Sequence, residues 1–200
     1  MQHFFPLSSF LPSGKWVTKL FLACLKSLSI MGTFWLMAFS ANAQSEHNIF
    51  DLARNGELEA MKTLLEAHPE HARSRDENGY SALILAAYHN HPSLVALLAP
   101  LDDVNYSSGF GTALMGAAVK GSVDIAQILI DHGADPNSED GDATTPLIYA
   151  SMFQNNELAL RLLKAGADPK HTNQKGFSAL DYARRNKNTA LIIQFESHQN

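Results

Sequence analysis

The feature that most constrains this chain is a period. A hydroxyl residue, a small residue or proline, and a leucine recur together as Ser81-Ala82-Leu83, Thr112-Ala113-Leu114, Thr145-Pro146-Leu147 and Ser178-Ala179-Leu180. The leucines are 31, 33 and 33 residues apart, and an alanine stands three places beyond each: Ala86, Ala117, Ala150 and Ala183. Apolar clusters follow in phase, at Leu97-Leu98, Ile128-Leu129-Ile130 and Leu162-Leu163. The phrase Gly-Ala-Asp-Pro occurs at 133–136 and again at 166–169, and a weaker early copy fits Ile49, Ala53 and Leu64-Leu65. Self-similarity of this kind marks a chain built by stacking one supersecondary unit.

Each recurring residue type has a physical role. A Ser or Thr ahead of an apolar run is a helix N-cap, whose side-chain oxygen accepts from an orphan backbone N–H. Pro146 falls at the first helical position, where its missing N–H costs nothing. Leu and Ala three residues apart share one helix face, and the small alanine lets the next helix approach closely. The second apolar cluster makes a second helix. Gly133 and Gly166 end it in the left-handed conformation, and Pro136 and Pro169 prevent its resumption. Polar stretches such as "NSEDGDATT" join the pairs as turns or short hairpin fingers.

These residues resemble the ankyrin repeat family, whose phrase of about 33 residues runs Gly-x-Thr-Pro-Leu-His, Ala-Ala, Leu-Leu, Gly-Ala-Asp. Thr112–Asn137 and Thr145–Lys170 match it well, Asp76–Asn105 moderately, and the first and last units are degenerate. The resemblance implies an all-α solenoid of about five stacked helix pairs with short hairpin or turn fingers. Its units are about 45–75, 76–107, 108–139, 140–173 and 174–200, within a repeat domain of 44–200. Terminal units of a solenoid need polar outer faces, which "SEHN" at 45–48 and "RRNKN" at 184–188 supply. Three departures stand out. The histidine that follows Thr-Pro-Leu in the family is replaced by Ile84, Met115, Ile148 and Asp181, which predicts a looser loop network. "LAPLDDVN" lacks the helix-ending glycine. "SSGFGTAL" is two residues short, so its finger should bend differently.

Residues 1–43 differ from the rest. They carry Lys15, Lys19 and Lys26 but no acidic residue, then an apolar run from Leu28 to Phe39, then Ala41-Asn42-Ala43. That order is the pattern of a secretory signal peptide cleaved after Ala43. A run of twelve residues is too short to cross a hydrocarbon layer of ~30 Å. The expectation is a periplasmic or secreted protein beginning at Gln44, with a membrane-tethered scaffold as the alternative if the leader is retained. Cleavage removes three of the 15 basic residues and none of the 20 acidic ones, taking the net charge from −5 to −8. It also removes Cys24, the only cysteine, which suits an oxidising compartment. An acidic chain lacks the cationic surplus that nucleic-acid binding needs.

Chemistry is hard to place. There is no Gly-x-Ser-x-Gly elbow and no Gly-rich phosphate loop, and the carboxylates fall in turns and on outer helix faces, so no enzyme and no cofactor are implied. Eight histidines remain beyond the leader. A metal or haem carrier is therefore the alternative class, and collective titration near pH 6 a further expectation, although scattered surface histidines explain the count as well. His89 and His91 do not share a helix face; His68 and His71 converge only in a loop, with Glu70 nearby, and no metal ligands are assigned. "DPNSEDGD" at 135–142 faintly resembles a calcium loop, but its glycine is one place late and Pro146 stands where the bidentate Glu belongs.

The resemblance implies that another protein docks on the fingers and the inner face of the first helices. Carried over position by position, this gives Tyr88, Met152 and Arg185, with His89, Val119, Lys120 and Phe153 alongside. Tyr149 and Tyr182, 33 apart, should stack in a row, and the finger tips offer Glu77, Asn78, Tyr80, Phe110, Asp142, Thr144 and Phe177. Aromatic anchors of this kind dominate interfaces, though Tyr149, Met152 and Phe153 also suit the gap between neighbouring pairs. The runs Asp102-Asp103 and Glu139-Asp140 are either steering charges for a basic partner or solvated turns.

Overall fold

The computed structural model describes residues 48–197; the leader and its cleavage site lie outside them. Among the described residues ten α-helices run as five pairs joined by short turns. They are α1 (Ile49–Asn55) with α2 (Leu58–Ala67), α3 (Ala82–Tyr88) with α4 (Pro92–Leu98), and α5 (Ala113–Lys120) with α6 (Val123–Asp131). After them come α7 (Pro146–Met152) with α8 (Asn156–Lys164), and α9 (Ala179–Arg185) with α10 (Thr189–Ser197). A 3-10 helix, Pro69–Arg73, follows α2. First helices pack on first helices, α1 on α3 on α5 on α7 on α9, and second helices on second helices, so the pairs stack in series.

Helices of seven to ten residues are marginal alone in water, so the stack must hold them. The periodic leucines do this: Leu83, Leu114 and Leu147 are essentially inaccessible, as are Leu98, Leu129 and Leu162 of the second helices. Removing such a side chain costs about 2–5 kcal/mol. Ala86, Ala117, Ala150 and Ala183 are wholly buried, and the first helices pack more intimately than the second. The contact is close enough that a Cβ on Gly116 of α5 would lie 3.4 Å from the Tyr88 backbone N of α3.

The caps form at the periodic hydroxyls. Ser81 accepts from Ile84 N, Thr112 from Met115 N, Thr145 from Ile148 N and Ser178 from Asp181 N. Pro146 opens α7, and Gly133 and Gly166 are left-handed (φ 87° and 94°) just beyond α6 and α8. Where the glycine is missing, Leu101 follows α4 in a tight turn closed by Leu101 N and Asp102 N on Leu98 O.

A second repeating device was not apparent in the sequence. The turn inside every pair passes through one left-handed residue: Gly56, Asn90, Gly121, Gln154 and Lys187 (φ 55–79°). The following residue then bonds back five places, as in Ser122 N to Ala117 O (2.9 Å) and Asn155 N to Ala150 O (2.8 Å), a Schellman closure. Side chains just past these turns reach the preceding unit. His91 Nε2 donates to Arg54 O (2.9 Å) and Asn155 Nδ2 to Gly121 O (2.8 Å).

The fingers are also built on a repeat. Asp76, Asp140 and Asn173 each accept, through one Oδ1, two backbone N–H groups that follow in the finger. Isolated antiparallel bridges close the fingers at Arg75–Ser81, Ser108–Gly111 and Thr172–Ser178. The short third finger does bend differently: Ser108 and Gly111 exchange backbone bonds across a tight loop, and a side chain on Gly111 would run into Met115 Sδ.

The places of the family histidine are put to other uses. Ile84, Met115 and Ile148 instead extend the buried core, and Asp181 closes a capping box with Ser178. Neighbouring fingers are tied by Tyr106 Oη to Gly79 O (2.9 Å), His171 Nε2 to Ala143 O (2.8 Å) and Gln174 Nε2 to Gly141 O (2.8 Å). The helix ends are tied by Asn105 and Asn137. Asn105 donates to Gly133 O (3.0 Å) and accepts from Asp135 N (2.8 Å); Asn137 donates to Gly166 O (3.0 Å) and accepts from Asp168 N (2.7 Å). In the first unit Arg73 takes this place and donates to Leu101 O (3.2 Å). At the far end Arg184, Arg185 and Lys187 are exposed, but so is Ile193 on α10, so that outer face is not wholly polar.

Candidate functional site

The fingers and the first helices bring the sequence-selected residues into four aromatic clusters. The tight third finger thrusts Phe110 outward, 73% exposed, and stacks it on Tyr80 of the preceding finger (centroids 5.6 Å, planes 16° apart). Tyr80 itself is half-buried against the core. Burial raises its phenol above the ordinary value, with Asp76 and Tyr88 adding to the shift. At the end of α3, Tyr88 is 43% exposed and edge-on to His89 (5.6 Å). Lys120, one unit on, holds its ammonium 4.2 Å from the centre of the Tyr88 ring, an exposed cation–π contact of about 0.5–1 kcal/mol.

The expected Tyr149–Tyr182 row does not form as a ring stack. Tyr149 stacks on Phe153, one turn along α7 (6.4 Å, 5°), and Tyr182 tilts against Phe177 (5.8 Å, 57°). The reason lies in the fingers. Tyr149 Oη donates to Asp140 Oδ2 (2.6 Å) and Tyr182 Oη accepts from Asn173 Nδ2 (3.3 Å), so each ring is tethered to its own finger base. Burial, then the Asp140 bond, pushes the Tyr149 phenol far above its ordinary value. Phe153 is 53% exposed and Phe177 is also exposed, whereas Val119 and Met152 are half-buried. Tyr80, Tyr149 and Tyr182 therefore partly fill space between units, and Tyr88, Phe110, Phe153 and Phe177 are left to face solvent.

The acidic runs divide: Asp103 and Glu139 are exposed, Asp103 accepting from Asn105 N in its own turn (3.0 Å), whereas Asp102 and Asp140 are engaged within the fold. The Asp102 side chain is 1% exposed and takes both guanidinium nitrogens of Arg75 (2.8 and 3.2 Å), while Arg75 also covers the Tyr106 ring at 3.9 Å. Asp140 is spent on its finger and on Tyr149. Likewise Asp135, in the segment with a calcium-loop flavour, caps the turn at Asn137 N (2.8 Å). Arg75 stands 27 residues before Asp102, too far to have signalled that role, whereas the turn bonds at Asp135 and Asp140 are local.

The histidines divide. His91, His132 and His171 each donate from one ring nitrogen to a backbone carbonyl. His89 departs from a collective titration near pH 6: desolvation, followed by His91, Lys120 and Arg54, holds its imidazole below the ordinary value, so it resists protonation on mild acidification. His68, Glu70 and His71 do converge, on the 3-10 turn after α2. The Glu70 carboxyl lies below its ordinary range, chiefly through a backbone hydrogen bond and then through His68. A shallow open groove of about 420 Å³ lies between α6 and α8, lined by Gln127, Ile130, Glu157, Leu160, Arg161, Lys164 and Ala165, on second helices and so apart from the aromatic clusters. Arg161 spans it by pairing with Gln127 and Glu157. No helix among the described residues is long and apolar enough to cross a membrane.

Serial helix pairs, capped hydroxyls and hairpin fingers define a repeat solenoid of protein-interaction modules. The model of ankyrin repeats in three copies matches residues 49–140, and that of ankyrin repeats in many copies matches 129–183, together well over half of the 200 residues. The chain belongs to the ankyrin repeat family. It is 29% identical over 143 residues to an ankyrin repeat-containing protein of Treponema pallidum (strain Nichols), covering 70% of this chain and 47% of that protein. It is 43% identical over 67 residues to the human photoreceptor ankyrin repeat protein (32% of this chain, 15% of that one). Against protein phosphatase 1 regulatory subunit 12A of mouse it is 35% identical over 83 residues (42% and 8%). The chain thus spans about half the length of the Treponema relative and a small part of the others.

Proposed function

We propose that this protein is exported, loses residues 1–43, and binds another protein in the periplasm without catalysis, protecting, inhibiting or scaffolding a partner enzyme there. The observation that carries the reading is Phe110. A large aromatic ring on a finger tip, 73% exposed and held by a stack on Tyr80, contributes little to the core that holds the stack. It is suited to supply the rigid apolar anchor from which interfaces draw most of their energy. Tyr88 with Lys120, and farther along Phe153 and Phe177, extend the surface over the same fingers and first helices. The mouse relative is named as a regulatory subunit of an enzyme, which fits a partner-binding role for the shared repeats.

The test is affinity capture from the native compartment with the wild-type protein and with a Tyr88→Ala, Phe110→Ala variant. Both side chains are exposed, so the variant keeps its helical circular dichroism. Loss of an anchor costs about 2 kcal/mol or more, and the two together remove the specific partner from the captured set. A variant that retains every wild-type interactor rejects this surface. Mass spectrometry of the captured protein reports the leader: a first residue of Gln44 agrees with export and cleavage, and an intact N-terminus rejects it.

A further inference from the structure

We propose that His68, Glu70 and His71 form a three-ligand site for one divalent ion of the zinc class, on the 3-10 turn that ends the first repeat. Their donor atoms all lie within 4.8 Å of one another, and among the described residues this is the one group of three such donors. The local backbone explains the convergence. In a 3-10 helix residues three apart are eclipsed on one face, and His68 stands immediately before the turn with His71 three places on. Their rings are stacked at 5.2 Å and 18°. Glu70 Oε1 lies 3.3 Å from His68 Nδ1.

The turn is a scaffold rather than a loose loop. Pro69 fixes its entry. His71 N donates to His68 O (3.1 Å) and Ser74 N to His71 O (3.0 Å). Ala72 is buried in the core, and Arg73 is bonded to Leu101 O in the next unit. Little backbone freedom is left to lose on binding, which is the condition for a preorganised site. Zinc bonds of about 2.0–2.2 Å in tetrahedral geometry bring donors to roughly 3.3–3.5 Å from one another. The His68–Glu70 pair is already at that separation. The rest of the closure needs only rotation of side chains that are 57% (His68) and 68% (Glu70) exposed. Two imidazoles and a carboxylate favour zinc, copper or nickel over calcium or magnesium, with water at the fourth position. The competing histidines His91, His132 and His171 already hold backbone carbonyls.

The test is a titration of the metal-stripped full-length protein with Zn²⁺, by calorimetry and by competition with a chromophoric chelator. One equivalent binds to the wild type. His68→Ala and His71→Ala each weaken that site by at least about tenfold, the loss that even outer-shell substitutions produce in metal sites, and Glu70→Gln weakens it too. His132→Ala leaves it unchanged. In parallel, saturating zinc raises the unfolding midpoint of the wild type but not that of His68→Ala, His71→Ala. Glu70→Gln, with its exposed side chain, preserves the fold and keeps the test decisive if His71→Ala does not. The proposal is overturned if the wild type binds zinc no more tightly than the double variant, or if His132→Ala loses the site to the same extent.

Discussion

Gly121 and Gly133 answer different demands with the same residue type. Both are left-handed, but a Cβ on Gly133 would meet nothing within 4 Å, whereas one on Gly121 would sit 2.8 Å from Asn155 Nδ2. Gly133→Ala should therefore cost only the backbone term, about 1–2 kcal/mol. Gly121→Ala should cost more, because Asn155 must also withdraw from the Gly121 carbonyl. Urea denaturation measures both, and equal losses would mean that the Asn155 contact contributes nothing. At Tyr149 the prediction concerns protons. Its phenol is held above the usual value near 10 by burial and by Asp140, so in an alkaline spectrophotometric titration it ionises last, and Tyr149→Phe removes that last step. The glycine stops and Pro146 were legible because each is a local answer to a local backbone need. Tyr149's tether and the buried Arg75–Asp102 pair were not, since in both cases the residue that gives the group its role stands well away along the chain.

Within single elements, α9 offers a pH-dependent test. The Ser178 hydroxyl and backbone N–H hold the Asp181 carboxyl below its ordinary value, and Arg184 lowers it further. A depressed carboxylate stabilises the fold above its unfolded value, near 3.9, and loses that contribution as pH falls through the folded value. Asp181→Ala should cost about 1 kcal/mol at pH 7, and the gap to the wild type should shrink steadily below about pH 4. The joints between elements predict a second loss. Asn137 both donates to Gly166 O and accepts from Asp168 N, so Asn137→Ala breaks two bonds and should cost about 1–3 kcal/mol in thermal or chemical denaturation. The same substitution at Asn105 should behave alike. Helices and caps were readable from hydroxyls, leucines and alanines at fixed offsets. The joints were less so: Asn105 and Asn137 share a register, but the first unit fills that place with Arg73, and Lys170 stands there in the fourth.

For the whole molecule, stacking in series makes a strong statement about modularity. Each pair packs chiefly on its neighbours, so stability is a sum of units and interfaces. Deleting residues 112–144 joins Gly111 directly to Thr145 and keeps every cap in register. The shortened protein should retain a helical circular dichroism spectrum and melt at a lower temperature; a collapse to a disordered chain would show that the middle unit is irreplaceable. The five-fold stack was legible because a 33-residue period leaves few other architectures. Which aromatic rings reach solvent was not, because the same Tyr or Phe packs inward or outward according to a tether from another element, as Asp140 holds Tyr149 and Asn173 holds Tyr182. The turns inside the five pairs have one further consequence. Glycine, asparagine, glycine, glutamine and lysine occupy one left-handed backbone shape at Gly56, Asn90, Gly121, Gln154 and Lys187. A lineage can therefore rewrite the chemistry along that rim at Asn90, Gln154 and Lys187 while the scaffold beneath stays put, whereas a side chain at Gly56 or Gly121 would meet His91 or Asn155.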